Sequence, residues 1–356
     1  MMNRFKRIFA VLSATIALFV FTSPTASAQT AETGVGNIEM LIPGGMAFGV
    51  KMFTEGAVVL GTTGVETASG VVSPAKDSGL QAGDVIIRAG GEEFKTAGDL
   101  ISLISGSGGK SIVIAFIRNN EEKTVSVTPA RDSENGTYRI GVLVRDSTAG
   151  IGTVTYIDPE TQDFGGLGHG VYDAETGILL PMSSGTVVDV VITDVVKSEK
   201  NAPGELHGSF GRTQTGELWD NCDEGVFGRF SKIPKPALTA IPIASRDEIT
   251  EGKAHILTTV SENGIEEYEI EIEHIYNGSG STKNFLIKIT DEELISKTGG
   301  IVQGMSGSPI IKDGKLIGAV THVLVNDPLH GYGISIENML KSAYDVSVGI
   351  NSGLAA

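Results

Sequence analysis

The chain has 356 residues, 40% hydrophobic and 20% charged, a composition that builds packed cores, and its length suggests two or three domains. Lysine and arginine number 27 against 43 acidic residues, and the resulting charge of −16 gives no general attraction to phosphate backbones, so no nucleic-acid partner is expected. One cysteine excludes an internal disulfide framework and any multi-cysteine zinc site; six histidines without an HExxH or HxH pattern argue against a metal hydrolase, and no cofactor is expected.

Arg4, Lys6 and Arg7 precede an apolar run at residues 8–21, followed by Ala26-Ser27-Ala28. The run is shorter than the roughly 20 residues a bilayer span needs. Charged start, short apolar core and A-x-A ending read as a secretory signal over residues 1–28, cut after Ala28; an uncleaved membrane anchor is the alternative. Either way the bulk of the chain is expected outside the cytoplasm. Residues 29–37 read as a linker.

Residues 38–130 read as a first domain. Strand patterns fall at 57–60, 84–88, 111–118 and 124–128, with a hairpin turn at Asn119-Asn120-Glu121-Glu122. Leu100, Leu103 and Ile104 share one face of a helix over 97–104. The segment Gly79-Leu80-Gln81-Ala82-Gly83-Asp84-Val85-Ile86-Ile87, with that helix and hairpin, resembles the core of a PDZ domain, a small α/β partly open barrel. The resemblance implies a peptide added as a strand, its carboxylate held by backbone N–H groups. The glycine-rich stretch 43–50 stands where such a loop is expected, making Gly44, Gly45, Phe48 and Gly49 candidate peptide-binding residues; an ordinary glycine-rich turn is the alternative.

Residues 138–356 read as a second, strand-rich domain. Candidate strands lie at 139–144, 153–157, 177–180, 186–193, 255–260, 265–275, 284–289, 308–312 and 316–325, separated by turns such as Asp313-Gly314. Short strands at this spacing argue for a barrel or sandwich, so the chain is mainly β. Helices are expected at 291–297 and 336–342, and residues 197–250 read as loop-rich.

Chemistry concentrates in Gly299-Gly300-Ile301-Val302-Gln303-Gly304-Met305-Ser306-Gly307-Ser308-Pro309-Ile310. A hydroxyl nucleophile needs an exposed Oγ, a base, and N–H donors for the oxyanion. A tight turn at Gly304-Met305-Ser306-Gly307 can present Ser306 and aim the amides of Gly304 and Ser306 at one point. G-x-S-G-x-P followed by a hairpin resembles the nucleophile loop of chymotrypsin-like serine proteases. His169, between Gly168 and Gly170, is the candidate base; His322 could line the cleft, whereas His207, His255, His274 and His330 lack such a setting. A carboxylate should fix the imidazole tautomer, and the residues alone leave Asp173, Asp189, Asp194, Asp291 and Asp327 open. A thiol reading through Cys222 is disfavoured by its acidic neighbour Asp223.

Gly168-His169, Ile289-Thr290-Asp291, the run 297–310 and the tail from Gly318-Ala319-Val320-Thr321-His322 to Gly331-Tyr332-Gly333 closely resemble the peptidase domain of the stage IV sporulation protein B family. The resemblance implies a chymotrypsin-like β-barrel serine endopeptidase with His169 as base, Asp291 as orienting carboxylate and Ser306 as nucleophile. It further implies an exported enzyme of spore formers, acting between mother cell and forespore on a membrane-bound regulatory protein with an extracytoplasmic domain. Self-cleavage near its own N-terminal region and PDZ-mediated recognition are implied as well. The competing reading is a non-enzymatic PDZ adaptor with a degenerate protease-like domain.

Overall fold

The computed structural model describes residues 39–235, 237–276, 278 and 282–352, so the expected export segment and linker lie outside the described residues. The chain opens with β1 (Met40–Pro43) and β2 (Ala47–Thr62). Next come β3 (Val65–Thr67), β4 (Gly70–Val72), α1 (Pro74–Asp77), β5 (Val85–Ala89), β6 (Glu92–Glu93), α2 (Ala97–Gly106), β7 (Ile112–Arg118), β8 (Glu121–Val127), β9 (Ala130–Arg131) and β10 (Tyr138–Arg139). The middle of the chain holds β11 (Val142–Ile157), β12 (Asp163–Gly166), β13 (Met182–Val196), β14 (Glu205–Cys222), β15 (Gly225–Phe230) and β16 (Ile241–Pro242). The last part holds β17 (Gly252–Thr258), β18 (Glu266–Ile275), β19 (Phe285–Ile289), α3 (Glu292–Thr298), β20 (Pro309–Lys312), β21 (Lys315–Leu324), β22 (Asp327–Ser335) and α4 (Ile336–Ser352). Among the described residues no helix is long and apolar enough to cross a membrane.

Two antiparallel barrels dominate. In the first, β2 pairs with β11, β11 with β12, β12 with β15, β15 with β14, β14 with β13, and β13 with β2 again, closing a ring. Its core gathers Phe48, Met52, Phe164, Leu180, Val187 and Phe230. The second barrel closes in the order β17-β18-β19-β22-β21-β20 around Ile256, Ile270, Phe285, Ile287, Met305 and Ile310. Leu41 and Phe227 of the first barrel share a cluster with Leu316 and Ile334 of the second and with Met339 and Leu340 of α4, so the barrels pack as one body. The mainly β architecture with a chymotrypsin-like pair of barrels agrees with the sequence reading.

The PDZ unit grows out of the first barrel. The far end of β2 pairs with β5, and the sheet continues through β7 to β8. Its core holds Ala57, Leu80, Ile86, Leu100, Ile104 and Phe116. Thr96 and Asp99 form a reciprocal capping box that starts α2, where Leu100 and Ile104 turn inward as their spacing predicts. Asn119 and Asn120, at φ 53° and 60°, make the hairpin turn. Gly56 sits at φ +77°, and a Cβ there would lie 2.3 Å from the Ile86 carbonyl oxygen, so only glycine lets β2 leave the barrel and press against β5.

The division between domains differs from the sequence expectation of 38–130 and 138–356. Residues 40–54 belong to the first barrel, with β1 paired to Ile157 and Tyr156 and the start of β2 paired to β11 and β13. Conversely, Val142 to Arg145 of β11 complete the PDZ sheet against residues 58–62 of β2. Two 16-residue strands therefore serve both units. The loop-rich reading of 197–250 also gives way to β14, an 18-residue barrel wall. Its exposed stretches and glycines obscure the alternation that marks a strand.

Candidate active site

The serine turn is anchored on every side. Asp291 caps α3 at its start and Gly299, at φ +73°, ends it. The chain then donates from Ile301 N to Pro328 O, from Gln303 N to Gly204 O and from Gly307 N to Val320 O. Met305 is buried in the second-barrel core. Strand β11 supplies the rest: Thr153 N donates to Ser306 O at 2.9 Å, Thr153 Oγ1 to Gly304 O at 2.8 Å, and Thr155 Oγ1 to Gly307 O at 2.8 Å. Both threonines are fully buried. Gly307, at φ +96°, lies so close that a Cβ would stand 2.0 Å from the Thr153 carbonyl oxygen.

This scaffold separates the two serines. Ser308 is fully buried and its hydroxyl donates to Met305 O at 2.6 Å, a local turn bond. Ser306 is half-buried and lines a cleft of about 340 Å³ together with His169, Leu167, Gln303 and residues 148–151 of β11. Its hydroxyl donates to Thr321 O at 2.6 Å. The amides of Gly304 and Ser306 donate to no acceptor among the described residues, leaving both available for an oxyanion.

His169 follows β12 on the first barrel. Its Nδ1 lies 2.8 Å from Gly170 O. A carbonyl only accepts, so Nδ1 carries the proton and Nε2 keeps the lone pair a general base needs. Burial pushes the imidazole below its ordinary value, with the Gly170 carbonyl acting in the opposite direction. The His322 ring stands 4.7 Å from it, centroid to centroid. Partial desolvation, His169 and Lys283 push His322 down to about 4. Ser306 and His169 thus share one cleft from opposite barrels, with the hydroxyl in this arrangement bonded to Thr321 rather than to the ring.

Asp291 is where the family resemblance and the geometry part. Its carboxylate accepts from Glu293 N at 2.9 Å, Leu294 N at 3.0 Å and Glu269 N at 3.3 Å. It stands at a helix N-cap and makes no bond to His169, whose Nδ1 is taken by Gly170. The other candidate acids do not reach the ring either. Asp173 is buried in the turn after His169; burial alone would raise it, but the amide and hydroxyl of Thr176, the Glu175 amide and the Arg145 guanidinium hold it below the usual carboxylate range. Asp189 and Asp194 are exposed on β13, and the Asp327 carboxylate accepts from His330 Nδ1 at 2.9 Å. Burial, with Asp220 and Glu224, pushes the Cys222 thiol up to about 12, which leaves little thiolate.

The predicted carboxylate loop is also displaced. The amides of Gly44 and Gly45 donate to Thr155 O and Val154 O, Phe48 is buried edge-on against Phe164, and Gly49 packs beneath Phe210 and Val188. These four residues are interior parts of the first barrel and have no free donors to offer. A groove of about 320 Å³ instead runs between α2 and the start of β11, lined by Ile101, Ile104, Tyr138, Gly141 and Leu143. At its end the amides of Ile140 and Gly141 donate to no acceptor among the described residues. The sequence carries a signal for it in Ile140-Gly141-Val142-Leu143, an aliphatic stretch broken by one glycine, but it lies far along the chain from residues 57–60, the first strand-like segment of that unit.

Two packed barrels, with an imidazole from one and a glycine-flanked serine from the other facing a common cleft, define the double-barrel serine peptidase class. The chain belongs to the SpoIVB peptidase S55 family, whose model matches residues 136–340, and it carries a PDZ domain matched over residues 46–128.

Among curated proteins the chain is similar to a putative zinc metalloprotease of Lactococcus lactis, 33% identical over 30% of this chain and 24% of that protein. A putative zinc metalloprotease of Mesorhizobium japonicum is 39% identical over 16% of each. The chain thus spans a quarter or less of either relative. Among the described residues no group of three or more His, Cys, Asp or Glu side chains is placed to hold a metal ion. Among solved structures it is similar to the PDZ domain of the SdrC-like protein of Listeria monocytogenes, at 24% identity and TM-score 0.21, covering 25% of this chain and 87% of that one. The Rv3671c protease of M. tuberculosis, inactive form, is 14% identical with TM-score 0.32 over 55% of this chain and 84% of that one. The HtrA-type protease AlgW is 13% identical with TM-score 0.33 over 60% and 58%.

Proposed function

We propose that the protein is an exported endopeptidase in which Ser306 attacks the peptide carbonyl, His169 takes its proton at Nε2, and the amides of Gly304 and Ser306 hold the oxyanion. The acyl-enzyme then forms as His169 returns the proton to the leaving amine, and water completes hydrolysis by the same base. The observation that carries this reading is the pair of undonated amides flanking a cleft-lining serine opposite a neutral, Nδ1-protonated imidazole. The hydroxyl must turn from Thr321 O toward His169 for attack, a rotation about one side-chain bond. Asp291 has no part in this scheme; the Gly170 carbonyl fixes the tautomer.

Family membership and the N-terminal charged-apolar segment support the finer reading: cleavage of a membrane-bound regulatory protein at the extracytoplasmic face during spore formation, with self-cleavage near the N-terminus. The PDZ groove beside α2 serves recognition of a peptide carboxylate. A serine-directed fluorophosphonate tests the core of this reading: wild-type protein should be labelled at Ser306, and Ser306→Ala should be unlabelled and lose its self-generated termini by mass spectrometry. A wild-type protein that stays unlabelled supports the adaptor reading instead.

A further inference from the structure

Strand β11 touches both grooves. Val142 and Leu143 line the pocket beside α2, and Thr148, Ala149, Gly150 and Ile151 line the cleft that holds His169 and Ser306. On one side β11 is paired with β2 from Val142 to Thr153. Its other neighbours come only later: β12 begins at Val154 and β1 at Tyr156. Among the described residues the opposite edge of 143–151 therefore faces no strand, and such an edge is a template for an added one.

We propose that a single extended substrate segment lies along this edge, its C-terminal carboxylate at Ile140 and Gly141 and its scissile bond at Ser306. The direction follows from the two ends. A chain that terminates at the beginning of β11 and follows the strand runs antiparallel to it, so residues farther from its C-terminus pass Thr148–Ile151 and reach the nucleophile. At about 3.3 Å per residue the path from Val142 to Ile151 is about 30 Å, and the cleaved bond lies about eight to ten residues before the C-terminus. The occupant's chemistry is set by the ends as well. Two undonated amides ask for a free carboxylate, and Ile101, Ile104 and Leu143 ask for an aliphatic last side chain. Midway, the Asp146 carboxylate accepts from Ala97 N at 2.7 Å and ties the first turn of α2 to β11, which narrows the path at that point. A short peptide fills the α2 end alone.

The placement of the scissile bond rests on the peptidase reading; the placement of the segment does not. Hydrogen exchange on full-length Ser306→Ala protein separates them. The probes are a peptide of about twelve residues ending in a leucine carboxylate, its C-terminal amide, and a free acid of about five residues, lengths set by the strand spacing. The long acid should slow exchange of the outward-facing amides from Leu143 through Ile151 by about tenfold or more. The amide should not, the short acid should protect only the start of the strand, and Leu143→Glu, at a residue 53% exposed, should abolish protection. Protection by the long acid that ends at Asp146, or none on β11, overturns the proposal. No turnover enters this measurement, so failure of the peptidase reading appears separately, as wild-type protein that the fluorophosphonate does not label.

Discussion

The Thr153 amide donates to the carbonyl of Ser306 at 2.9 Å, so the nucleophile of the second barrel hangs on a strand of the first. The same residue's hydroxyl holds Gly304 O at 2.8 Å, and it is fully buried. These bonds fix the carbonyls of the two residues whose amides face the cleft. Thr153→Val keeps the shape and the amide bond but strands the Gly304 carbonyl, at a cost of about 1–3 kcal/mol. Turnover should fall by about tenfold to a hundredfold with KM little changed, because the lost order is felt where oxyanion charge develops. Thr153→Ser should restore most of it. Steady-state kinetics and thermal melts of the two variants check this.

Ser306 lines the cleft, whereas Ser308 is fully buried and bonded within its own turn. Ser306→Ala should cut turnover by about 10⁴-fold or more while leaving the melting curve close to wild type. Ser308→Ala should stay active and lose about 0.5–1.5 kcal/mol with its bond to Met305 O. Activity surviving the first change and lost in the second would move the nucleophile.

For Asp291 the helix-cap geometry and an orienting role give opposite outcomes. An N-cap tolerates asparagine well, so Asp291→Asn should keep activity within a few-fold, while Asp291→Ala should cost about 1–2 kcal/mol of stability. A carboxylate that orients a catalytic histidine behaves otherwise, since its asparagine variant loses about 10⁴-fold in turnover. Measuring kcat and Tm on both variants decides between them.

Much of the second barrel was legible because its strands are short, alternate cleanly and are bounded by turn residues, as at Phe285–Ile289 and Asp313-Gly314. The serine turn and His169 announced themselves through flanking glycines. What stayed hidden were long-range pairings. Nothing local in Ala47–Thr62 says that its first half closes one barrel and its second half begins a PDZ sheet, and so Gly44 and Gly45 resemble a ligand loop although their amides are spent on Thr155 and Val154. Thr153 and Thr155 looked like ordinary β-branched strand residues; their role appears only when the turn at Ser306, about 150 positions away, is laid on them. An Asp before a helix carries the same spacing whether it caps the helix or serves a distant imidazole.

The two imidazoles give a pH dependence with a definite sign. His169 must be neutral to act as base, and burial disfavours its charged form, so the acid limb of kcat/KM should have its midpoint below the ordinary histidine value of 6.5. His322 packs 4.7 Å from it and shields one side of the ring. Replacing that ring by a smaller polar group, His322→Asn, admits water and weakens the desolvation, and the acid limb should move up toward the ordinary histidine value. The same depression bears on folding. Below about pH 6.5 the unfolded chain binds protons that native His169 and His322 refuse, so their contribution to stability is present above that pH and is lost as pH falls toward their native values, about 4 for His322. Denaturant midpoints recorded from pH 7.5 to 4.5 should therefore decline less steeply in His322→Asn than in wild type. An unchanged slope together with an unmoved acid limb would show that the two rings do not share an environment in solution.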